Sequence, residues 1–435
     1  MRVTVVGTGY LGAVHAACMA DLGHDVVAYD VDADRIASLS NGQAPFFEPG
    51  LDELLQRVLA TGRLRFTTNV AEVADFGDVH FVCVGTPQRA GSNAADLSYL
   101  FAAVNELAPL LVRPSLVVGK STVPVGTATK IATLLRELAP APVDLAWNPE
   151  FLREGHAIVD TIHPDRLVFG VVDAAAEGIL REVYAPLLSD GVPVVVTDFA
   201  TAELVKVSAN AFLETKISFI NAMAEICEAS GADVTTLAEA IGYDERIGRR
   251  FLSAGLGFGG GCLPKDIRAF MARAGELGVG EAVTFLREVD AINLRRRERT
   301  VDMARELCGG SVSGSTVACL GAAFKPNSDD VRDSPALHVA ASLQTEGATV
   351  HVHDPRAMTP ASRIFPTLHF AESAKAAVSG ADVVLLLTEW DEYQALTPAD
   401  LTPLVAHTRM VDARNVLDPS VWRAAGWTFR ALGRQ

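Results

Sequence analysis

The chain has 435 residues, 49% of them hydrophobic and 21% charged, the make-up of an ordinary globular protein long enough for two or three domains. A formal net charge of -16 excludes nucleic acid and anionic membrane surfaces as main partners, while leaving room for a local basic pocket that takes a phosphate ligand. Six cysteines (Cys18, Cys83, Cys227, Cys262, Cys308, Cys319) at no paired spacing argue against structural zinc and for a reducing cytoplasm; no signal peptide or membrane-length apolar run is expected.

Val3 to Val6 reads as a short strand, and Gly7-Thr8-Gly9-Tyr10-Leu11-Gly12 opens an alanine-rich helix that ends near Gly23. Strand, glycine turn and helix come in the order that a pyrophosphate cradle needs. The first glycine permits the tight turn, the second lets the backbone approach the phosphates, and the third lets helix and strand pack closely. A second strand over Asp25 to Asp30 ends in an acid eighteen residues after Gly12, the context that makes the motif specific. Asp30 would bond the ribose hydroxyls and repel a 2′-phosphate, so NAD is predicted over NADP. Arg35 either covers the adenine side or is a solvated helix charge.

The strand Val79 to Val84 ends in Gly85-Thr86-Pro87, and Leu116 to Lys120 ends in Ser121-Thr122-Val123-Pro124. Ligands of open parallel sheets bind at the carboxyl ends of strands, so Thr86, Pro87 and Thr122 are cofactor or substrate contacts by position, although singly each suits an ordinary turn or cap. A fifth strand, Val143 to Trp147, runs into Asn148-Pro149-Glu150-Phe151-Leu152-Arg153-Glu154-Gly155. Glu150 and Glu154 are either general base and substrate contact or members of a charged loop.

After the strand Val194 to Val196 the chain changes character near Asp198. Thr201 to Ser230 lacks glycine and proline and predicts a long helix, on which Lys206 and Asn210 share a face, either converging on one ligand oxygen or forming a solvated pair. A helix hairpin follows through Gly242 to Gly248. Then comes Gly257-Phe258-Gly259-Gly260-Gly261-Cys262-Leu263-Pro264-Lys265-Asp266. Its glycines let backbone pass close to a ligand, and Pro264 suits the start of a helix. Cys262, ahead of that helix and near Lys265, is either the best nucleophile among the six cysteines or a buried structural thiol. Another helix is predicted from about Glu281 to Leu307, with Val283, Leu286, Val289 and Ile292 on one face before the run Arg295 to Arg299; such a span connects and dimerises.

Beyond Gly309-Gly310, strands over Thr316 to Leu320, Thr349 to His353 and Asp382 to Leu387 predict a second doubly wound unit without a full glycine fingerprint, holding a ligand that is not a second NAD. Arg414, after a late strand, meets a phosphate or is a surface charge. The histidines show no metal-ligand spacing. The predicted fold is α/β, with two Rossmann-like doubly wound parallel-sheet domains joined by a central helical domain; the boundaries are 1–198, 199–308 and 309–435.

Six ordered blocks carry a resemblance over essentially the whole length: Gly7 to Gly12, Val84 to Pro87, Ser121 to Thr127, Asn148 to Leu152, Gly257 to Asp266, and Phe324-Lys325-Pro326 through Arg332-Asp333-Ser334-Pro335. Together they resemble the nucleotide-sugar dehydrogenases of the UDP-glucose and GDP-mannose dehydrogenase family. The resemblance implies NAD-dependent oxidation of a sugar primary alcohol to a carboxylate, four electrons going to two NAD. It makes Cys262 the nucleophile that traps the aldehyde as a thiohemiacetal and then carries a thioester. Lys206 and Asn210 match the oxyanion-stabilising pair, Asp266 the acid that orients water with Thr122, and Glu150 the base for hydrolysis.

The same resemblance assigns Glu150, Phe151, Leu152, Glu154, Lys206, Asn210, Phe251, Ser253, Gly259 and Phe324 to the substrate side, and Glu154, Lys265 and Arg332 also to the cofactor. Lys325 and Arg414 match groups that hold the nucleotide diphosphate, and Arg246 an arginine given across a dimer interface. Gly261 and Leu263 depart from the commonest serine and phenylalanine, which bears on substrate choice. UDP-glucose is expected, supported by Tyr243 to Gly248 and Phe251 to Gly255, with GDP-mannose and UDP-N-acetylmannosamine as rivals. A non-catalytic sensor and a two-electron β-hydroxyacid dehydrogenase are the other classes. A homodimer is expected, with neither nucleic acid nor membrane as partner.

Overall fold

A computed structural model describes residues 1–434. Fourteen strands are formed, β1 (Arg2–Val6), β2 (Asp25–Tyr29), β3 (Leu64–Thr67), β4 (Val79–Val82), β5 (Ser115–Gly119), β6 (Val143–Trp147), β7 (Leu167–Gly170), β8 (Val194–Thr197), β9 (Thr316–Leu320), β10 (Thr349–His353), β11 (His369–Phe370), β12 (Val383–Leu386), β13 (Arg409–Asp412) and β14 (Thr428–Ala431). They make one sheet ordered β3-β2-β1-β4-β5-β6-β7-β8 and another ordered β11-β10-β9-β12-β13-β14. The predicted α/β class with two doubly wound sheets is what the chain adopts. The chain clusters into two compact units, residues 1–209 with 268–278, and residues 210–267 with 279 onward.

In the first unit every neighbouring pair of strands is parallel except β6 and β7, which meet antiparallel at Trp147 and Gly170. Val5 pairs with Ala28 on one side and Phe81 on the other. Val3, Val5, Phe81, Leu116 and Val118 are fully buried, as expected of short apolar runs covered by helices on both faces. Strand order reverses at β1, so the turns after β1 and β4 diverge and leave a crevice at their carboxyl ends.

The second unit repeats that order in a wholly parallel sheet. Its acid at the end of β10, Asp354, is buried and accepts the N–H groups of Ala322 (2.8 Å), Ala323 (2.9 Å), Arg356 (2.9 Å) and Ala357 (2.8 Å) and the Trp390 indole N–H (3.1 Å). Asp354 therefore closes the turn after β9 with its own carboxylate.

The long helix is Phe199–Ser230, two residues longer at its start than the pattern predicts, because Asp198 accepts the Thr201 N–H at 2.8 Å. It runs from the first unit into the second. The later helix begins at Phe285, not Glu281, since Gly280–Val283 forms a single 3₁₀ turn. Its charged run is no solvated stripe: Arg296 is fully buried against Glu228 (3.2 Å) and Arg297 nearly so against Asp333 (2.9 Å). Among the described residues no helix is long and apolar enough to cross a membrane.

Candidate active site

The glycine turn after β1 is dictated by close contacts. A Cβ on Gly12 would lie 1.8 Å from the Gly7 carbonyl oxygen, whereas one on Gly9 would meet nothing within 4 Å. Gly9 therefore faces open space beside the first turn of helix Tyr10–Asp21, which has no side-chain cap on its N–H groups. Positive partial charge and bare donors at that end fit a pyrophosphate. The Tyr10 hydroxyl is turned away to Glu48, so Tyr10 and Leu11 offer the cradle their main chain.

Asp30 stands just beyond β2, where it accepts the Thr8 N–H (2.7 Å), the Asp32 N–H (3.0 Å) and Arg35 (3.0 Å). Burial pushes its carboxyl upward, yet the Thr8 and Asp32 amides and the Arg35 guanidinium outweigh it and hold the group below the ordinary aspartate range. An ionised acid at this place fits ribose hydroxyls and disfavours a 2′-phosphate. The next two turns are tied together, Thr86 donating to the Thr122 carbonyl (2.7 Å) and Ser121 to the Val84 carbonyl (2.6 Å), while Pro87 accepts the Asp96 N–H.

Beyond β6 the first unit joins Glu150 and Lys206 in a nearly buried ion pair of 3.0 Å. The other Glu150 oxygen accepts the Leu152 N–H at 2.8 Å. Phe151 carries Arg166 over its ring at 3.6 Å and Lys206 at 5.7 Å. Lys206 and Asn210 lie one turn apart on the long helix, as the spacing predicts.

In the second unit Cys262 is exposed, and its carbonyl accepts the Asp266 N–H (3.0 Å), the first bond of helix Leu263–Glu276. The thiol thus sits at a helix N-cap, where positive partial charge favours a thiolate. The buried-thiol alternative is overturned for Cys262; burial is instead the state of Cys18, Cys83, Cys227 and Cys319. Asp266 is buried, with Asn210 donating to one oxygen (2.8 Å) and Lys265 paired with the other. Three of the predicted residues therefore share one cluster.

The loop glycines are approached by the chain itself. A Cβ on Gly261 would lie 2.0 Å from the Arg332 guanidinium carbon, and one on Gly259 would lie 2.3 Å from the Asp333 carbonyl oxygen. Arg332 is paired with Asp330, which also accepts the Gly261 N–H at 3.3 Å. A serine at 261 would have to displace that guanidinium, so glycine and arginine belong together here. Arg414 donates to the Gly257 carbonyl (3.0 Å), the Phe324 carbonyl (3.2 Å) and the Leu387 carbonyl (2.7 Å), pinning the loop to the second sheet. Lys325 lies over the Phe324 ring at 5.4 Å. Phe251 has a left-handed backbone at φ 65°, unusual for an aromatic residue. Ser253 lies 3.4 Å from Arg249, and Arg246 reaches into solvent while paired with Asp244.

Three successive segments match one family. Residues 1–188 match the NAD binding domain of the UDP-glucose/GDP-mannose dehydrogenase family, residues 200–295 its central domain, and residues 318–419 its UDP binding domain. The chain belongs to that family. It is 43% identical over its full length, and that of the relative, to UDP-glucose 6-dehydrogenase of Rhizobium meliloti strain 1021. A UDP-glucose dehydrogenase structure from Pyrobaculum islandicum superposes with a TM-score of 0.91 at 38% identity, covering 100% of this chain and 98% of that one. A UDP-D-ManNAc dehydrogenase structure from Pyrococcus horikoshii gives 0.86 at 28%, covering 100% and 99%.

The chain is accordingly an NAD-dependent nucleotide-sugar dehydrogenase, with NAD as its cofactor. Sequence pattern missed residues of this family member that hold the site from behind. Asn293 donates to the Phe258 carbonyl (3.0 Å) and accepts the Phe258 N–H (2.8 Å), and Arg166, Asp330 and Asn148 are likewise invisible in local periodicity. Asn148 and Asp330 do, however, fall inside two of the six ordered blocks that carry the resemblance.

Proposed function

We propose that the chain oxidises the C6 alcohol of UDP-glucose to the carboxylate of UDP-glucuronate, through a covalent thioester on Cys262. What carries this reading is the exposed Cys262 at a helix N-cap, one turn before an Asp266 held by Asn210 and Lys265. Full-length relatives named for UDP-glucose support the sugar over UDP-N-acetylmannosamine, whose named relative is less similar.

Gly7 to Gly12, Asp30 and Arg35 would hold NAD, which would supply a hydride acceptor for each of the two oxidations. The protein supplies the rest. The Cys262 thiolate adds to the aldehyde carbon, forming a C–S bond, while Lys206 and Asn210 stabilise the oxyanion. Asp266, with Thr122, orients water toward the thioester carbon, and Glu150 takes its proton as the C–S bond breaks. A covalent trap keeps the aldehyde in place while one reduced cofactor leaves and a fresh one enters. Phe151, Leu152, Glu154, Phe251, Ser253, Gly259, Phe324, Lys325 and Arg414 line the sugar nucleotide in this reading, with Glu154, Lys265 and Arg332 also toward the cofactor. The three-domain division belongs to it too, as does a cytoplasmic location.

Purified protein with NAD should release two NADH per UDP-glucose, and far less from GDP-mannose or UDP-N-acetylmannosamine. Tight NAD binding with no NADH from any of the three would leave only a sensor.

A homodimer completes the proposal. Phe212 (67% exposed), Phe219 (49%) and Ile226 (57%) recur at seven-residue spacing along the long helix, an apolar stripe that a second copy would cover. In this reading the long helix, and not the later one expected from the sequence, forms the interface, since Leu286 and Val289 of the later helix are buried within the chain. Light scattering should return twice the 46.1 kDa chain mass, and Phe219→Glu should halve it. A wild-type monomer would refute this part alone.

A further inference from the structure

One buried cation is used by none of the steps above. Lys120, the residue after β5, is buried in the first unit, and among the described residues no carboxylate lies within ion-pairing distance of it. Its ammonium donates to the Asn148 side-chain oxygen at 3.0 Å and lies 3.5 Å from the Asn148 carbonyl oxygen, 6.0 Å from the ring centres of both Phe81 and Tyr184. An ammonium taken out of water with no counter-charge is costly, so its retention asks for a use.

Asn148 is held on every side. Its N–H donates to the Gly119 carbonyl (2.8 Å), its amide nitrogen to the Val168 carbonyl (3.0 Å), and its side-chain oxygen also accepts the Tyr184 hydroxyl (2.6 Å). Two residues on, past Pro149, stands Glu150, paired with Lys206. The strand end and the proline leave little slack between them.

We propose that Lys120 is a positioning residue of the dehydrogenase reaction: its ammonium fixes Asn148 and thereby the turn that presents Glu150. The proposal rests on the thioester reading above. The titratable groups that face Lys120 are Cys83, Glu150, Lys206, His15 and Tyr184. Burial lowers the ammonium to about 8, with Lys206 adding to the fall and Cys83 and Glu150 opposing it. The charge on Lys120 is therefore lost as pH rises through that value.

The test is Lys120→Met beside wild type, with UDP-glucose and NAD. We expect kcat to fall about 10- to 100-fold with the KM for NAD unchanged, the size of loss that a displaced catalytic group gives. Mass spectrometry of acid-quenched enzyme should find Cys262 acylated in the variant, because hydrolysis, where Glu150 acts, becomes slow. The alkaline limb of the wild-type kcat profile should disappear. A purely structural lysine would behave differently: replacing an unpaired buried ammonium by a thioether should not lower the Tm at pH 7. Any gain should shrink toward pH 10, because the folded lysine loses its proton before the unfolded one and wild type recovers stability over that span.

A variant with wild-type kcat, or with no Cys262 adduct and a raised KM for NAD, overturns the proposal. Should Lys120→Met not fold, Tyr184→Phe decides: a loss of kcat of about threefold or more with the same adduct supports it, and unchanged kcat overturns it. Wild type that makes no NADH would sink the reaction itself, a separate outcome.

Discussion

Replacing Cys262 by alanine is expected to abolish carboxylate formation, lowering the rate of UDP-glucuronate production by about 10⁴-fold. The reason is a division of labour. Stabilising an oxyanion or orienting water survives the loss of the thiol, but a thioester needs a sulfur, and among the described residues Cys262 is the exposed cysteine. Without that bond the aldehyde is free to leave after the first oxidation. NADH per sugar should therefore drop from two to at most one, with aldehyde trapped by added hydroxylamine. The fold should be unaffected, since Cys262 is exposed and its carbonyl, which accepts the Asp266 N–H, is kept by alanine. Undiminished acid formation in Cys262→Ala would refute covalent catalysis while leaving the family assignment intact.

Lys206→Met is expected to cost about 10²- to 10³-fold in kcat, the usual loss when one oxyanion donor is removed. It also strips Glu150 of its 3.0 Å partner. A nearly buried carboxylate left without its cation destabilises a fold by about 3 kcal/mol, so activity alone is ambiguous here. The double variant Lys206→Met with Glu150→Gln separates the two effects. Removing both charges should return most of the lost stability, measured by urea unfolding, and none of the activity. Recovery of turnover in the double variant would mean that neither side chain takes part in the chemistry and that Lys206→Met fails only through the carboxylate it leaves unpaired.

The candidate site was legible in unequal parts. Gly7 to Gly12 and Asp30 could be read because a strand, a tight turn and a helix in series are coded by residues within thirty positions of one another. The helix bearing Lys206 and Asn210 could be read from its lack of glycine and proline, and even so its start moved to Phe199 once Asp198 capped it. The start predicted at Glu281 failed for the complementary reason: Gly278 and Gly280 stand where a helix would nucleate, and a short 3₁₀ turn intervenes before Phe285. The resemblance supplied the roles proposed for Cys262 and Asp266, which pattern by itself had left open.

By itself, the order of residues determined the α/β class, the two Rossmann-like units, the dinucleotide cradle and the placement of Cys262 just before a helix, since each follows from periodicity, glycine geometry and capping within a short stretch of chain. Only the tertiary structure decided that Arg332 fills the space left by Gly261, that Arg414 pins Gly257, that Lys206 meets Glu150, and that Lys120 holds Asn148. Those partners lie tens of residues or more apart in the chain, 157 in the case of Arg414 and Gly257. No local preference selects one of the many cations for one of the many acceptors; the choice is made when strands and helices pack and a buried polar group must find whichever partner the fold has brought beside it.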